Sequence, residues 1–175
     1  MTRGTATKTN VFALYDNATG NELIGAVTVE LPSFELQTTE YSGAGIAGAI
    51  NVPALGVMSP QTCTVSCPIM YGDLTRYYAV GTTRTLELRS DMAVVDHDTH
   101  EVKSVQNRWI LRGPISGASG GSTGQSATAD SSITMQVYKA QHWINNEEQI
   151  EWDVLKRIHR VRGEDLLSVA LQNIT

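Results

Sequence analysis

Three glycines in the first third of the chain have the spacing of a dinucleotide-binding turn. Gly43, Gly45 and Gly48 form the pattern G-x-G-x-x-G, which in such sites follows a buried parallel strand and opens a helix against a pyrophosphate. Here the preceding segment alternates polar with apolar residues, and Pro53 follows too soon for a helix to continue from Gly48. We therefore interpret the run as a loop that joins two strands, and we expect no nucleotide or other cofactor.

A polar run in the middle of the chain contains residue types that bind metal ions. Its sequence, DHDTHE, supplies imidazole and carboxylate groups, namely Asp96, His97, Asp98, His100 and Glu101. The run lies between two segments of alternating polarity, where a chain reversal needs polar residues in any case. A solvated hairpin tip is the simpler interpretation, and the spacing leaves adventitious metal binding by His97 and His100 open.

A short basic run near the C-terminus has the charge to contact an anion. The segment KRIHRVR places four cations close to His159, and such a patch suits phosphate or an acidic protein surface. It lacks the exposed aromatic residues that alternate with cations in single-strand nucleic-acid binders. We therefore favour a protein contact on an outer surface, made by Lys156, Arg157, Arg160 and Arg162.

No residue pattern in the sequence is typical of catalysis. The four histidines are scattered, and none lies in a nucleophile motif. Cys63 and Cys67, if they share one strand, are about 13 Å apart, which is too far for a disulfide. The sequence therefore predicts a protein that is not an enzyme, with two cysteines that act as small buried apolar side chains.

The composition is that of a single soluble domain over residues 1–175. Hydrophobic residues make up 41% of the chain and charged residues 18%, which argues against disorder. The net charge of −5 argues against a surface that coats nucleic acid. No apolar run is long enough to cross a bilayer, and the first ten residues lack the apolar core of a secretory signal. We expect synthesis in the cytoplasm and no membrane anchor.

Most of the chain alternates polar and apolar residues with a period of two. In one segment, for example, Leu86 and Leu88 alternate with Glu87 and Arg89. Such segments are typical of half-buried antiparallel strands joined as hairpins.

Loops and one helix interrupt this alternation. Glycine-rich and Gly/Ser-rich segments at about 42–60 and 113–129 predict long loops. Amphipathic spacing over Gly163–Ile174 predicts a helix, and a second, short helix is an option at Tyr71–Ala79. The pattern as a whole predicts a mainly β, antiparallel fold.

Short motifs towards both ends of the chain occur in a recognisable order. They are N-V-F (Asn10–Phe12), L-x-G (Leu23–Gly25), V-x-L-P (Val29–Pro32), T-x-x-Y-x-G-x-G-x-x-G (Thr38–Gly48), E-x-D (Glu151–Asp153) and V-x-G-x-D-L (Val161–Leu166). In the order and spacing of these motifs, the chain resembles the major tail tube proteins of contractile bacteriophage tails and R-type bacteriocins. The matching blocks cover less than half of the chain, and the 113–129 segment is richer in Gly and Ser than the family pattern.

The resemblance implies a tail-tube-like β-sandwich or barrel with one flanking helix, six copies of which form a ring with a β-barrel lumen. In this family, rings stack into a hollow tube inside a contractile sheath, which conducts DNA or punctures an envelope. The implied partners are further copies of the chain, the sheath protein, and the baseplate and tail terminator proteins, with transient, non-specific passage of DNA. The protein would be a virion component, whether or not the particle carries a DNA-filled head.

Polar strand faces agree with such a ring, because closure removes open strand edges and gives those faces a shared channel. The side chains predicted to line the lumen are Glu35, Gln37, Thr39, Thr62, Thr64, Ser66, Thr85, Glu87, Arg89, Asp91, Ser104, Gln106 and Arg108. The glycine-rich loop would contact a neighbouring subunit, since small residues let two backbones approach closely. Its predicted contact residues are Gly43, Gly45, Ile46, Gly48, Ile50, Val52 and Leu55.

The alternative is a standalone β-sandwich module that binds a glycan or a peptide. Such a module would be monomeric and would expose a cluster of aromatic side chains. Trp143 and Trp152 are the candidates for that cluster, and their strand-like surroundings favour packing instead.

Overall fold

Antiparallel strands form most of the protein in the computed structural model, which describes residues 4–17, 20–22, 28–43, 45–125 and 127–168. For residues 21, 22, 55 and 56 it describes the backbone alone. The alternating segments become strands because each buries one face and hydrates the other. A short 3-10 helix spans Gly72–Tyr78. The strands are β1 (Gly4–Asp16), β2 (Asn21–Glu22), β3 (Thr28–Glu30), β4 (Leu36–Ser42), β5 (Ala49–Met58), β6 (Gln61–Cys67), β7 (Thr83–Asp96), β8 (Val102–Ser119), β9 (Ser131–Val137), β10 (Lys139–Ile144), β11 (Glu147–Asp153), β12 (Ile158–Val161) and β13 (Glu164–Asp165).

Two sheets share one long strand. The larger sheet has the strand order β13-β12-β11-β10-β8-β7-β1-β2, and the smaller sheet is β3-β6-β9 completed by the C-terminal part of β8. Strand β8 pairs with β7 as far as Pro114 and with β9 from Ile115 onwards. Next to this point the chain also passes from β9 in the smaller sheet to β10 in the larger sheet. There the Tyr138 N–H donates to the Arg112 carbonyl at 2.8 Å. Two neighbouring chain segments therefore cross together from one sheet to the other.

The two sheets bury their apolar faces against each other. In β6, for example, Cys63 and Val65 point inward, whereas Thr62 and Thr64 on the opposite face are exposed or half-buried. The 3-10 helix adds two side chains to the same cluster. The core consists of Leu14, Cys63, Val65, Cys67, Leu74, Tyr77, Leu86, Leu88, Trp109, Leu111, Ile115, Ile133, Met135, Val137, Ala140 and Trp152.

Both cysteines are buried and free, as the sequence predicted. Burial, together with the nearby charge of Glu30, raises the pKa of Cys63 to about 12. A thiol with so high a pKa stays protonated at neutral pH and is a poor nucleophile. Cys63 and Cys67 therefore serve as core side chains.

A buried carboxylate fastens the 3-10 helix to the larger sheet. Asp16 at the end of β1 is fully buried and accepts a hydrogen bond from the Tyr77 hydroxyl at 3.0 Å. Arg84 Nη1 lies 3.6 Å from the same carboxylate oxygen. Hydrogen bonds to a charged group contribute about 1.5–3 kcal/mol, so this contact helps to hold the helix in place.

The fold class predicted from the sequence is confirmed: the described residues form a mainly β, antiparallel sandwich with one helix and no closed barrel. That helix is the short one expected near Tyr71–Ala79. The predicted C-terminal helix is wrong at its start, because Glu164 and Asp165 pair with β12. The rest of that predicted helix lies outside the described residues.

The predicted loop at 113–129 is wrong over its first seven residues. Gly113–Ser119 belongs to β8, and Gly113 and Ile115 are buried. The Gly/Ser-rich composition predicted a loop, but these residues continue as a strand. Strand β9 pairs with them, which satisfies backbone hydrogen bonds that would otherwise be left open. The remainder of the segment runs to Asp130 without regular structure in the described residues.

Replacing Gly113 with Ala should lower the free energy of unfolding by about 3 kcal/mol. The added Cβ would lie 1.7 Å from the carbonyl oxygen of Gln136, where the two strands cross between the sheets. Gly117→Ala is the matched control, because open space surrounds Gly117 in the same strand. It should change the free energy by less than about 0.5 kcal/mol. Urea denaturation of both variants measures the difference, and equal effects would contradict the close approach at the crossing.

Candidate functional site: assembly surfaces

The glycine-rich segment forms the tip of a hairpin that stands apart from both sheets. Strands β4 and β5 pair with each other in a two-stranded sheet, with Ser42 opposite Ala49 at the tip end. Gly45 and Gly48 in the connection have φ angles of 93° and 141°, which favour glycine over any residue with a Cβ. We call residues 36–58 the hairpin arm. The G-x-G-x-x-G spacing thus serves a chain reversal.

The predicted partner of β4 is wrong. The loop predicted at about 42–60 would have made β6 the next strand after β4, whereas Ala49–Met58 forms β5, which pairs with β4, and β6 pairs with β3 and β9. Ile50 and Val52 flank Asn51 in β5, the strand that returns alongside β4. Pro53 is tolerated there because a two-stranded sheet has only edge strands.

One face of the hairpin arm is apolar and exposed. Tyr41 lies opposite Ile50, and Thr39 lies opposite Val52, so these four side chains share a face. Tyr41, Ile50 and Val52 are 57%, 48% and 46% exposed. Tyr41 was missed by the sequence analysis, although its alternation with Thr39 was a usable signal. Among the other predicted contact residues, Ile46 is half-buried at the tip, and the side chain of Leu55 lies outside the described residues.

The base of the arm is attached to the sandwich, whereas β4 and β5 pair only with each other among the described strands. The Ser59 N–H donates to the Glu35 carbonyl at 2.8 Å and closes the base. Phe34 packs edge-on against Trp152 and is stacked near Trp109, with ring centroids 5.9 and 6.4 Å apart. Three aromatic rings therefore connect the arm to the core of the sandwich.

The outer face of the smaller sheet is lined by small hydroxyl side chains. Cross-strand partners place Thr28, Ser66 and Ser132 in one row and Glu30, Thr64 and Thr134 in the next. Glu30 is its one charged side chain in the described residues. We call this surface the hydroxyl face, which consists of Thr28, Glu30, Thr62, Thr64, Ser66, Ser119, Ser132, Thr134 and Gln136. Of this face, only Thr62, Thr64 and Ser66 of β6 were predicted to line the lumen. The alternation of polar and apolar residues in β9 was also visible in the sequence.

Both lateral edges of the smaller sheet are open in the described residues. Strand β3 pairs only with β6, and residues 116–119 of β8 pair only with β9. Since all neighbours are antiparallel, the four strands alternate in direction and the two edge strands run in opposite directions. An unpaired edge leaves backbone N–H and C=O groups available to another strand.

The outer face of the larger sheet is held by ion pairs. Glu87 is only 3% exposed, and its Oε1 atom lies 2.7 Å from Nε of both Arg89 and Arg108. Burial alone would raise the pKa of Glu87, but the two guanidinium groups outweigh it and lower the pKa. Asp91 accepts hydrogen bonds from Ser104 and Asn10 on the same face. These side chains satisfy one another within a single subunit.

The predicted lumen residues lie on three separate surfaces. Glu35, Gln37 and Thr39 belong to the hairpin arm or its base, and Thr62, Thr64 and Ser66 belong to the hydroxyl face. The remaining seven, Thr85, Glu87, Arg89, Asp91, Ser104, Gln106 and Arg108, lie on the outer face of the larger sheet. Because the two sheets share one core between them, their outer faces point away from each other. A single subunit does not present all thirteen side chains to one side.

The DHDTHE run forms the turn between β7 and β8. Asp96 accepts a hydrogen bond from Lys103 and from the backbone N–H of Asp98, and these hold its pKa at about 2. His97 Nε2 lies 2.8 Å from the Thr5 hydroxyl. No three His, Cys, Asp or Glu side chains are grouped to hold a metal ion in the part of the chain that the structure describes.

The predicted basic patch is divided between paired and unpaired cations. Arg160 forms an ion pair with Glu151 at 3.0 Å, and Arg162 donates to Gln149 at 3.2 Å. Lys156 and Arg157 lie instead in the turn between β11 and β12. Arg160 and Arg162 thus have partners within the subunit, whereas the outer contact predicted for the four residues stays a prediction.

An antiparallel sandwich with open sheet edges and an exposed apolar arm is typical of a subunit that functions by assembly. The family model of phage tail tube protein FII matches residues 8–174, and the chain belongs to this family. No curated protein matches the chain.

Membership of this family makes the protein a structural component of the phage tail tube. It is accordingly part of the virion and of a multi-subunit assembly. The family is structural, which implies a role other than catalysis. None of the helices in the described ranges has the length and apolar character to cross a membrane.

Val52→Thr should leave the free energy of unfolding of the isolated subunit within about 0.5 kcal/mol of its original value, because Val52 is exposed on the arm. Val65→Thr is the matched control in the core and should lower that free energy by about 2 kcal/mol, since it buries a hydroxyl without a prepared partner. Urea denaturation under conditions that keep the subunit monomeric measures both. A large loss for Val52→Thr would mean that the arm packs on its own subunit.

Proposed function

We propose that the protein is the ring-forming subunit of the inner tube of a contractile phage tail or a related tail-like particle. Six copies close into a ring, and rings stack into a hollow conduit through which DNA passes or which punctures an envelope. The observation that carries the proposal is the smaller sheet, which combines a hydroxyl face with two open edges of opposite direction.

The directions of the two edge strands are compatible with ring closure. When β3 of one subunit meets residues 116–119 of β8 in the next, the two strands run antiparallel, as every other pair in the sheet does. Repetition of this contact around a circle joins the smaller sheets into one barrel and leaves no edge. The backbone groups that the isolated subunit leaves to water then pair between subunits.

The chemistry of the hydroxyl face suits a bore that DNA crosses. Lys and Arg side chains would bind phosphates through counterion release and would slow passage. The hydroxyl face carries none in the described residues and contributes only the negative charge of Glu30. We therefore assign Thr62, Thr64 and Ser66 to the bore, and the ion-paired outer face of the larger sheet to the outside of the tube.

The hairpin arm supplies the remaining contact between subunits. Its three apolar side chains are about half exposed, so each would contribute about 0.7–1.5 kcal/mol if a neighbour covered the rest. The sheath protein would contact the outside of the tube, and the baseplate and tail terminator proteins would contact its two ends. In a standalone binding module Trp152 would be exposed, but it is buried against Phe34.

Single-cysteine labelling of tubes tests which face lines the bore. Thr62→Cys lies on the hydroxyl face and Gln106→Cys on the outer face of the larger sheet, and both positions are exposed in the subunit. The reagent is a maleimide attached to a polymer of about 5 kDa, which is chosen to be too large to enter a narrow channel. In dissociated subunits it should modify both cysteines. In tubes verified by electron microscopy it should modify Gln106→Cys only. The native cysteines give little background because they are buried.

The reverse labelling pattern would place the bore on the larger sheet. Persistent single particles of about one subunit in electron micrographs, at all protein concentrations, would contradict a tube subunit and favour the binding module.

Deleting Gly43–Gly56 should leave a folded subunit that no longer forms tubes. The body should survive because β4 and β5 pair only with each other among the described strands. Circular dichroism monitors folding, and sedimentation monitors assembly. Deletion of Thr123–Gln125 in the Gly/Ser-rich segment is the control for shortening an exposed loop. If the deletion variant formed normal tubes, the arm would not be required for assembly.

A further inference from the structure

One edge of the larger sheet is open over the first residues of β1. Strand β1 pairs with β7 along its whole length, but on its other side β2 pairs only with Tyr15 and Asp16. Over Gly4–Thr9 no other strand in the described part of the chain covers that side. Such an edge offers its backbone N–H and C=O groups to any further strand, including β1 of a second copy.

Two extra residues bend this edge. Strand β1 uses thirteen residues, Gly4–Asp16, opposite eleven of β7, Leu86–Asp96, and the register shifts occur at Thr7 and Asn10. Each extra residue is a β-bulge, which bends the strand and increases its local twist. An edge that is bent in this way does not lie flat against the edge of another sheet.

The side chains of both bulge residues fix them to the sheet. The Thr7 hydroxyl donates to the Ala93 carbonyl at 3.1 Å, and Asn10 Nδ2 donates to a carboxylate oxygen of Asp91 at 2.7 Å. Both acceptors belong to β7, the strand with which β1 pairs. A slip in register that straightened the edge would break these hydrogen bonds, so the bulges are held in place.

A positive charge lies between the two bulges. Lys8 is exposed and forms no ion pair among the described side chains. Lysine on an edge strand opposes the addition of another strand, because the approaching chain would displace water from the ammonium group. A bend and a charge therefore protect the same short stretch of β1.

The edges that the proposed ring uses lack these features. Strand β3 pairs with β6 in continuous register over Thr28–Glu30, and Gly117–Ser119 pairs with β9 in continuous register after a single shift at Ser116. Neither edge contains a lysine or an arginine. Both are short, so a flat β1 edge would offer more backbone groups than either and would compete with the ring contact.

We propose that Thr7 and Asn10 determine which edges of the subunit pair with other copies, by preventing β1 from pairing with β1 of a second subunit. The proposal rests on the proposed function, in which the short edges of the smaller sheet close the ring. Two β1 strands would pair antiparallel about a two-fold axis, and that contact is complete after two copies. The bulges thus keep subunits out of closed dimers that could not enter a ring.

Deletion of both Thr7 and Asn10 tests the proposal, because every other residue of β1 can retain its partner in β7. The dissociation constant of the dimer should fall by about tenfold or more relative to the unmodified subunit. Sedimentation velocity measures the dimer under conditions that keep the unmodified subunit monomeric. Hydrogen exchange should show protection of backbone N–H groups within Gly4–Thr9 in the dimer. Circular dichroism confirms folding, and electron micrographs should show fewer tubes.

Two further variants serve as controls. Thr5→Lys in the deletion variant should restore the monomer, because Thr5 and Lys8 would lie opposite each other when two such edges pair about Ala6, and like charges repel there. Deletion of Thr123 and Gly124 from the Gly/Ser-rich segment removes the same number of residues and should leave the subunit monomeric.

A folded deletion variant that stays monomeric, or a dimer in which Gly4–Thr9 remains unprotected, would overturn the role of the bulges while leaving the tube function in place. If the double deletion does not fold, the single deletions of Thr7 and of Asn10 replace it, and two folded monomers would overturn the proposal in the same way. An unmodified protein that never forms tubes would instead overturn the proposed function, and the dimer measurement does not depend on tubes.

Discussion

The passage of β8 from one sheet to the other is the constraint on which the rest of the structure depends. At Gly113 the backbone of the neighbouring strand comes so near that a Cβ would overlap the Gln136 carbonyl. Because β8 and the β9–β10 segment cross there together, the two sheets are forced to face each other across one core. This crossing also decides that the hydroxyl face and the ion-paired face point in opposite directions. Every assignment of a surface to the inside or outside of a tube follows from that geometry.

The two polar faces differ in the way they satisfy their polar groups. On the larger sheet, Glu87 lies under Arg89 and Arg108, so its charge is neutralised within the subunit. On the smaller sheet the side chains are mostly Ser and Thr, whose hydroxyl groups remain hydrated in a water-filled channel at little energetic cost. A face with internal ion pairs tolerates contact with another protein, whereas a face of hydroxyls tolerates solvent and a passing polyanion. The chemical contrast therefore agrees with the opposite positions that the proposed tube gives them.

Alternation of polarity in the sequence predicted which residues point outward, but not which surface they share. Thr62 and Glu87 both follow the period of two, yet their strands lie in different sheets, because pairing between distant strands is a property of the whole fold. The arm shows the same limit: Ile50 and Val52 were predicted to contact a neighbouring subunit, but their pairing with β4 was not predicted. At the C-terminus, Glu164 and Asp165 suit a helix start by charge, and pairing with β12 overrides that preference. Motif order alone was enough for the family, since it does not depend on which strands pair.

An isolated subunit leaves two features of its described residues exposed: the apolar face of the arm and the open edges of the smaller sheet. In the proposed tube a copy of the same chain covers both, because the two edges run in opposite directions and can pair as antiparallel strands. Of the described side chains of the arm, Met58 at its base packs against the core cluster, whereas Tyr41, Ile50 and Val52 do not. The core residues that hold the sandwich together are thus distinct from the exposed residues that the proposed assembly would bury.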